Sequence, residues 1–267
     1  MRTRGKTRKG TSHSSSRFGN FLDAFRVKHE EVYSGGAKLQ VVENGSVRMF
    51  KLDGATNSII NKRSIYTGGY WDYLIPLAYA YRKPRVLIIG LGLGTSVHQF
   101  RTLFGGKVNI DVVELDENVI RLAEKYSPEK MKARIIHADG YAYVSHTGKG
   151  YDIIVLDAYG KGALIPKQFL RGEFVENASR ILGAEGAMAI NYAMHPSGML
   201  HFLGYRKLLK RFFGVYSVKT TRLGDTQVIL CLKGLEKKGL LKKIRKSMPL
   251  NRNTSALLKS YSKMREL

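Results

Sequence analysis

The sequence predicts an α/β protein, a doubly wound and mostly parallel seven-stranded sheet preceded by a small antiparallel β-sheet subdomain. Three observations carry this. Strand-length apolar runs alternate with helical segments from residue 84 to about 213, which is the rhythm of a parallel sheet covered by helices on both faces. Short runs broken by Gly35-Gly36 and by Asn44-Gly45 precede that rhythm, the second pair being a strong hairpin signal. A glycine-rich turn, Gly90-Leu91-Gly92-Leu93-Gly94, follows the apolar run Val86 to Ile89 without a spacer.

In chain order, residues 1–19 hold six Lys/Arg and no acid and read as a basic, disordered arm. Residues 20–83 form the N-terminal β-rich subdomain and linker. Val32-Tyr33, Lys38 to Val42 and Ser46 to Leu52 are its short strands, Asp53-Gly54 closes them, and an irregular piece runs through Asn57. The aromatic cluster of Tyr66, Tyr70, Trp71 and Tyr73 leads to an apolar segment, Leu74 to Tyr81, that reads as a helix with Pro76 in its first turn. Residues 84–233 form the main domain. Its strands are Val86 to Ile89, Val108 to Glu114, Arg134 to His137, Ile153 to Leu156 and Ala187 to Asn191, closed by an antiparallel pair, Val215 to Thr220 and Thr226 to Leu232. Its helices are Thr95 to Leu103, Glu117 to Tyr126, Tyr141 to Ser145, 167–182 and Leu200 to Phe213. Residues 234–267 read as a basic, partly helical tail interrupted by Pro249.

Composition narrows the function classes. The net charge of +24 divides unevenly, because residues 233–267 carry eleven Lys/Arg against two acids and the first nineteen carry six against none. The excess therefore sits on the two ends, which serve either as solubilising tails or as weak nucleic-acid contacts. No apolar run reaches the length of a membrane span and no secretory signal opens the chain, so a cytoplasmic protein is expected. The single cysteine, Cys231, lies in an apolar run and reads as a core thiol. The seven histidines lack metal-ligand spacing, His137, His195 and His201 included, so no metal is expected.

On such a sheet, ligands sit at the carboxyl ends of the central strands. Gly90, Gly92 and Gly94 end the first strand, Glu114 the second and Asp157 the fourth, while Asp139 follows the third. Glycine lets the backbone approach a ligand, and the helix starting near Thr95 offers free N–H groups. Glu114, twenty-four residues after Gly90, stands where an acid accepts from both ribose hydroxyls of an adenosine. Asp139 could accept from the adenine amine. Each acid alone is equally readable as a helix cap, and it is their joint placement that favours a nucleoside site. A dinucleotide fits less well, because the third glycine arrives one residue early and no second mononucleotide half follows. S-adenosylmethionine or a close relative fits better.

These residues resemble the spermidine synthases (polyamine aminopropyltransferases), which have the class I methyltransferase fold. The resemblance covers roughly residues 30–232 and rests on Val86 to Gly90, Val113 to Ile120, Ala138-Asp139-Gly140 and Tyr151 to Asp157. It implies aminopropyl transfer from decarboxylated S-adenosylmethionine to a small-molecule amine, in polyamine biosynthesis, by a chain that commonly forms homodimers. By resemblance, Glu114 holds the ribose, Asp139 the adenine and Asp157 the incoming amine. Tyr66, Tyr70 and Trp71 line the substrate slot, and Asn57 stands where the family usually has glutamine. Gly162 to Phe174 resembles the family's gate loop.

The chemistry itself asks for a neutral amine, although a free alkylamine has a pKa of about 10, so a carboxylate that orients the amine and takes its proton is needed. Asp157 is the candidate. Tyr70, Trp71 and Tyr159 could add cation–π attraction, or simply pack. Two departures from the family pattern matter. Leu93 replaces an aspartate of the glycine loop, and Gly160 replaces a second aspartate three residues after Asp157; Glu173 could restore one acid. Three readings stand: aminopropyl transfer, methyl transfer from intact S-adenosylmethionine on the same scaffold, and a non-catalytic nucleoside- or nucleic-acid-binding protein.

Overall fold

The computed structural model describes residues 27–128, 131–160, 164–193, 199–220 and 226–267. The expected arm at 1–19, part of the segment likened to a gate loop, His195 and the loop around Gly224 lie outside the described residues. Among the described residues no helix is long and apolar enough to cross a membrane.

The leading sheet is a four-stranded meander, β1 (Val27–Ser34), β2 (Ala37–Asn44), β3 (Val47–Leu52) and β4 (Ala55–Asn61). β4 is a strand where the sequence suggested an irregular piece. Asp53-Gly54 does not close the sheet but turns β3 into β4, with both residues at positive φ, 48° and 84°. That geometry matches the right-handed strand twist of a tight hairpin. One face of the meander buries Leu39, Val41, Phe50 and Ile60 against the main domain. Its outer strand is also tied there, because Glu30 accepts from Arg121 Nη1 (2.6 Å), Lys125 Nζ (2.8 Å) and the Tyr126 hydroxyl (2.9 Å).

The main sheet has the order β12-β10-β11-β9-β8-β5-β6-β7. Its members are β5 (Arg85–Ile89), β6 (Asn109–Glu114), β7 (Arg134–His137), β8 (Tyr151–Leu156), β9 (Leu182–Ala193), β10 (Gly214–Lys219), β11 (Thr226–Leu232) and β12 (Arg265–Glu266). β5 pairs in parallel with β6 on one side and β8 on the other, so the winding reverses at β5. An apolar strand with neighbours on both sides and helices on both faces is buried throughout, and Val86 to Ile89 are at most 2% exposed. β9, β11 and β10 finish the sheet antiparallel, as the closing pair suggested.

The eighth strand is the two-residue β12, which the sequence did not announce. It belongs to a C-terminal segment that is built into the fold where a tail was expected. Helices Lys237–Ser247 and Arg252–Ser262 bury Leu240, Leu241, Ile244, Leu257 and Tyr261 in the larger core cluster. The Tyr261 hydroxyl, fully buried, donates to the Tyr73 carbonyl at 2.6 Å. Lysines on the outer faces conceal this amphipathic pattern in the composition. Three helices also differ in extent, among them Leu200 to Phe213, which runs Met199–Leu209. Leu74 to Tyr81 becomes a 3-10 turn, Tyr70–Leu74, and a four-residue helix, Ile75–Ala78. The 167–182 segment becomes a 3-10 turn, Lys167–Leu170, and the helix Gly172–Ile181, with β9 starting at Leu182.

Candidate active site

A cavity of about 360 Å³ opens at the carboxyl ends of β5, β6 and β8, with the leading sheet as its other wall. The reversal at β5 produces it, because chains leaving the switch point diverge to opposite faces. Its floor is the glycine loop. Gly90 has φ of 97°, and a Cβ there would lie 2.4 Å from the Asp157 carbonyl oxygen, so only glycine lets the loop cross beside β8.

Glu114, at the end of β6, lines the cavity and accepts backbone N–H groups from Leu91 (2.9 Å), Leu115 (2.8 Å) and Asp116 (3.0 Å). Burial nevertheless raises its pKa above the ordinary carboxylate value, the three donors acting the other way. It thus shapes the loop and leaves its remaining lone pairs for a ligand. Asp139 lines the same cavity and caps the helix Gly140–His146 through a bond from Ala142 N at 2.8 Å. Both readings of that residue, cap and lining group, therefore coexist. Asn57, from β4, also lines it, and its buried Oδ1 has no partner among the described residues. An orphan acceptor at a cavity wall suits a ligand N–H or O–H.

Asp157 follows the last residue of β8 and is half-buried at the cavity wall. The Tyr70 hydroxyl donates to both of its oxygens, at 2.7 and 2.9 Å, and Asn191 Nδ2 donates to one at 3.0 Å. Desolvation outweighs these donors and pushes the carboxyl up to about 7. The neighbouring Trp71 side chain also acts to lower its pKa. Tyr159 lines the cavity and is fixed by its hydroxyl on the Asn191 carbonyl at 2.8 Å. A carboxylate of this kind can both orient a cationic or neutral amine and exchange a proton near neutral pH.

The structure brings Gly90, Gly92, Glu114, Asp139, Asn57, Asp157 and Tyr159 to one cavity. Tyr70 and Trp71 reach it only through Asp157, and their rings pack at 4.1 Å between centroids. Four expected residues stand elsewhere. Leu93 is fully buried in the larger core cluster, held there while its N–H bonds Ser58 Oγ at 3.0 Å. Gly94 starts the helix Thr95–Phe104 and is not part of the lining. Tyr66 is half-buried against that same core. Glu173 is exposed and accepts from the Tyr141 hydroxyl at 2.5 Å, away from the lining.

Sequence reasoning passed over Ser58 and Asn191. The Ser58 hydroxyl meets Thr95 Oγ1 at 2.6 Å and stitches β4 to the glycine loop. Asn191 could have been found as the one polar residue closing the apolar run Ala187 to Ile190. His137, expected at the surface or in a loop, touches the Leu115 carbonyl at 3.0 Å. Among the described residues no group of three or more His, Cys, Asp or Glu could hold a metal ion.

Known proteins share the architecture that carries this cavity. A family profile described as the spermine/spermidine synthase domain matches residues 74–202. A probable polyamine aminopropyl transferase of Bifidobacterium longum is 32% identical over 142 residues, covering 53% of this chain and 31% of that protein. A polyamine aminopropyltransferase of Alkaliphilus oremlandii is 28% identical over 203 residues, covering 70% of this chain and 66% of that protein. The chain thus spans between about a third and two thirds of the length of such curated relatives. Among solved structures, spermidine synthase in complex with the transition state analogue AdoDATO superposes with a TM-score of 0.69 at 23% identity, covering 88% of this chain and 85% of that one. Human methyltransferase-like protein 13 in complex with SAH gives 0.54 at 22% identity, covering 73% and 91%. At these identities the two structures speak for the fold alone. Residues 74–202 thus match the spermine/spermidine synthase domain, and they are carried on a methyltransferase-like α/β sheet.

Proposed function

We propose that the protein is a transferase that moves an aminopropyl group from decarboxylated S-adenosylmethionine to an amine. The observation that carries this reading is Asp157, a carboxyl held by Tyr70 and Asn191 and pushed up to about 7 by desolvation, set beside a glycine loop and Glu114 in one cavity. Glu114 would take the ribose hydroxyls, and Asp139 with the orphan Asn57 Oδ1 would take ligand N–H groups. The amine nitrogen attacks the carbon bound to the sulfonium, so an N–C bond forms as the C–S bond breaks and a neutral thioether leaves. The proton lost by the nitrogen passes to Asp157 and then to water. Tyr70 and Asn191 hold the carboxylate in one orientation, which is worth rate because a misplaced base does not reach the nitrogen. The reading includes a cytoplasmic protein and a paired chain, the latter testable by sedimentation.

A second reading, methyl transfer from intact S-adenosylmethionine, is favoured by one observation. Leu93 is turned into the core, so the glycine loop places no carboxylate where a donor's ammonium tail would need one. Thermal unfolding in the presence of each nucleoside separates the two, because the better ligand raises the midpoint more at equal concentration. A larger rise with the decarboxylated form supports aminopropyl transfer. A larger rise with the intact form supports methyl transfer, and no rise with either removes both.

A further inference from the structure

The acids among the described lining residues are four, Glu114, Asp116, Asp139 and Asp157, and each already accepts hydrogen bonds from the protein. Glu114 is bound by three backbone N–H groups, while Asp116 and Asp139 cap the helices that follow them, accepting from Asn118 N at 2.9 Å and Ala142 N at 2.8 Å. These three stand at or just after the ends of β6 and β7, on the side of the cavity assigned to the nucleoside. On the β8 side Asp157 is the only acid among the described lining residues.

The chain around Asp157 supplies no second one. Residues 158–172 contain no Asp or Glu and three cations, Lys161, Lys167 and Arg171. Residues 186–224, which run from β9 through β10, contain no acid either, and neither do residues 54–71, which include β4 and the Tyr70-Trp71 pair. What stands in the lining beside Asp157 is Ala158, Tyr159, Gly160, Pro166, Gln168 and Phe169, none of them charged. A second ammonium brought there would be stripped of water without a carboxylate to meet it, which is costly.

We propose that the acceptor carries a single cationic nitrogen and an uncharged remainder, an alkyl or aryl monoamine, and that diamines and polyamines are discriminated against. This rests on the transferase reading above. Asp157 receives the one nitrogen, and the uncharged lining receives the rest of the molecule. Gly160 marks where the discrimination is made. A Cβ there would meet nothing nearer than 3.9 Å among the described residues, the Leu164 carbonyl oxygen and Pro166 Cγ, so a side chain has room at this point of the lining.

The experiment compares butylamine with 1,4-diaminobutane, which differ only in the second nitrogen, using the full chain and each of the two adenosyl donors in turn. Formation of the nucleoside thioether is measured by mass spectrometry. Butylamine is expected to show a kcat/KM about tenfold or more above that of diaminobutane. Gly160→Asp, which restores an acid in that space, is expected to shift the ratio about tenfold or more toward diaminobutane. Equal use of the two amines, or preference for diaminobutane, by the unaltered chain would overturn the inference and leave the transferase reading intact. No thioether from any donor and amine would overturn the transferase reading, and this inference with it.

Discussion

Asp157 ionises at a cost to folding. Its folded pKa of about 7 lies above the ordinary value of 3.8, so the proton is held more tightly in the native state. The penalty is absent below the unfolded pKa, grows as pH rises between about 4 and 7, and is complete above. Asp157→Asn is therefore expected to raise thermal stability at pH 8, with about 4 kcal/mol as the ceiling set by three pKa units, and to leave it unchanged at pH 4. Unfolding midpoints of both proteins across that range check this, and a constant difference would show that the carboxyl is not buried in its ionised form. Asn191→Leu removes a donor that lowers the same pKa. The acid limb of the rate profile should then move to higher pH, and an unmoved limb would dissociate Asn191 from Asp157. Glu114 and Asp157 were legible as acids ending apolar strands. Asn191 and Ser58 were not, because their partners Asp157 and Leu93 lie 34 and 35 residues away, and a sequence does not show which distant strands will be neighbours.

At the scale of elements, the cavity depends on how the leading meander is held against the helix Glu117–Tyr126. Glu30 meets Arg121, Lys125 and Tyr126, and these partners hold its carboxyl well below the usual range. Such a group contributes stability above the unfolded pKa and loses it as pH falls below about 4.5. Glu30→Gln is expected to lower the unfolding midpoint by a few degrees at neutral pH and low salt, and by less at 1 M salt, since the pairs are largely exposed. A midpoint insensitive to both would mean that apolar packing alone seats the sheet. Strands β5, β6 and β8 were readable from unbroken apolar runs. β4 was not, because Ala55 to Ser58 are small or polar, and only the pairing of Met49 with Ile59 and Val47 with Asn61 makes that stretch a strand.

At the scale of the whole molecule, the C-terminal segment changes how the charge is understood. Its cations ride on two helices that pack into the core, so they form a basic face of the folded protein and cannot be shed as a tail. Tyr261 fills the junction with Tyr73. Tyr261→Ala should cost about 3–5 kcal/mol, read from denaturant unfolding, where removal of a free tail would cost nothing. The seven-stranded pattern was legible because each strand is locally apolar. The eighth was not, because a two-residue edge strand carries no local signal and exists only once the helix before it has docked.

The most direct measurement sets turnover of the unaltered chain against that of Asp157→Asn, with donor binding measured on both by calorimetry. If Asp157 orients the amine and takes its proton, thioether formation should fall by about a hundredfold or more while the donor binds within about threefold. Turnover within a few-fold of the unaltered chain, with the donor bound equally well, would contradict the assignment.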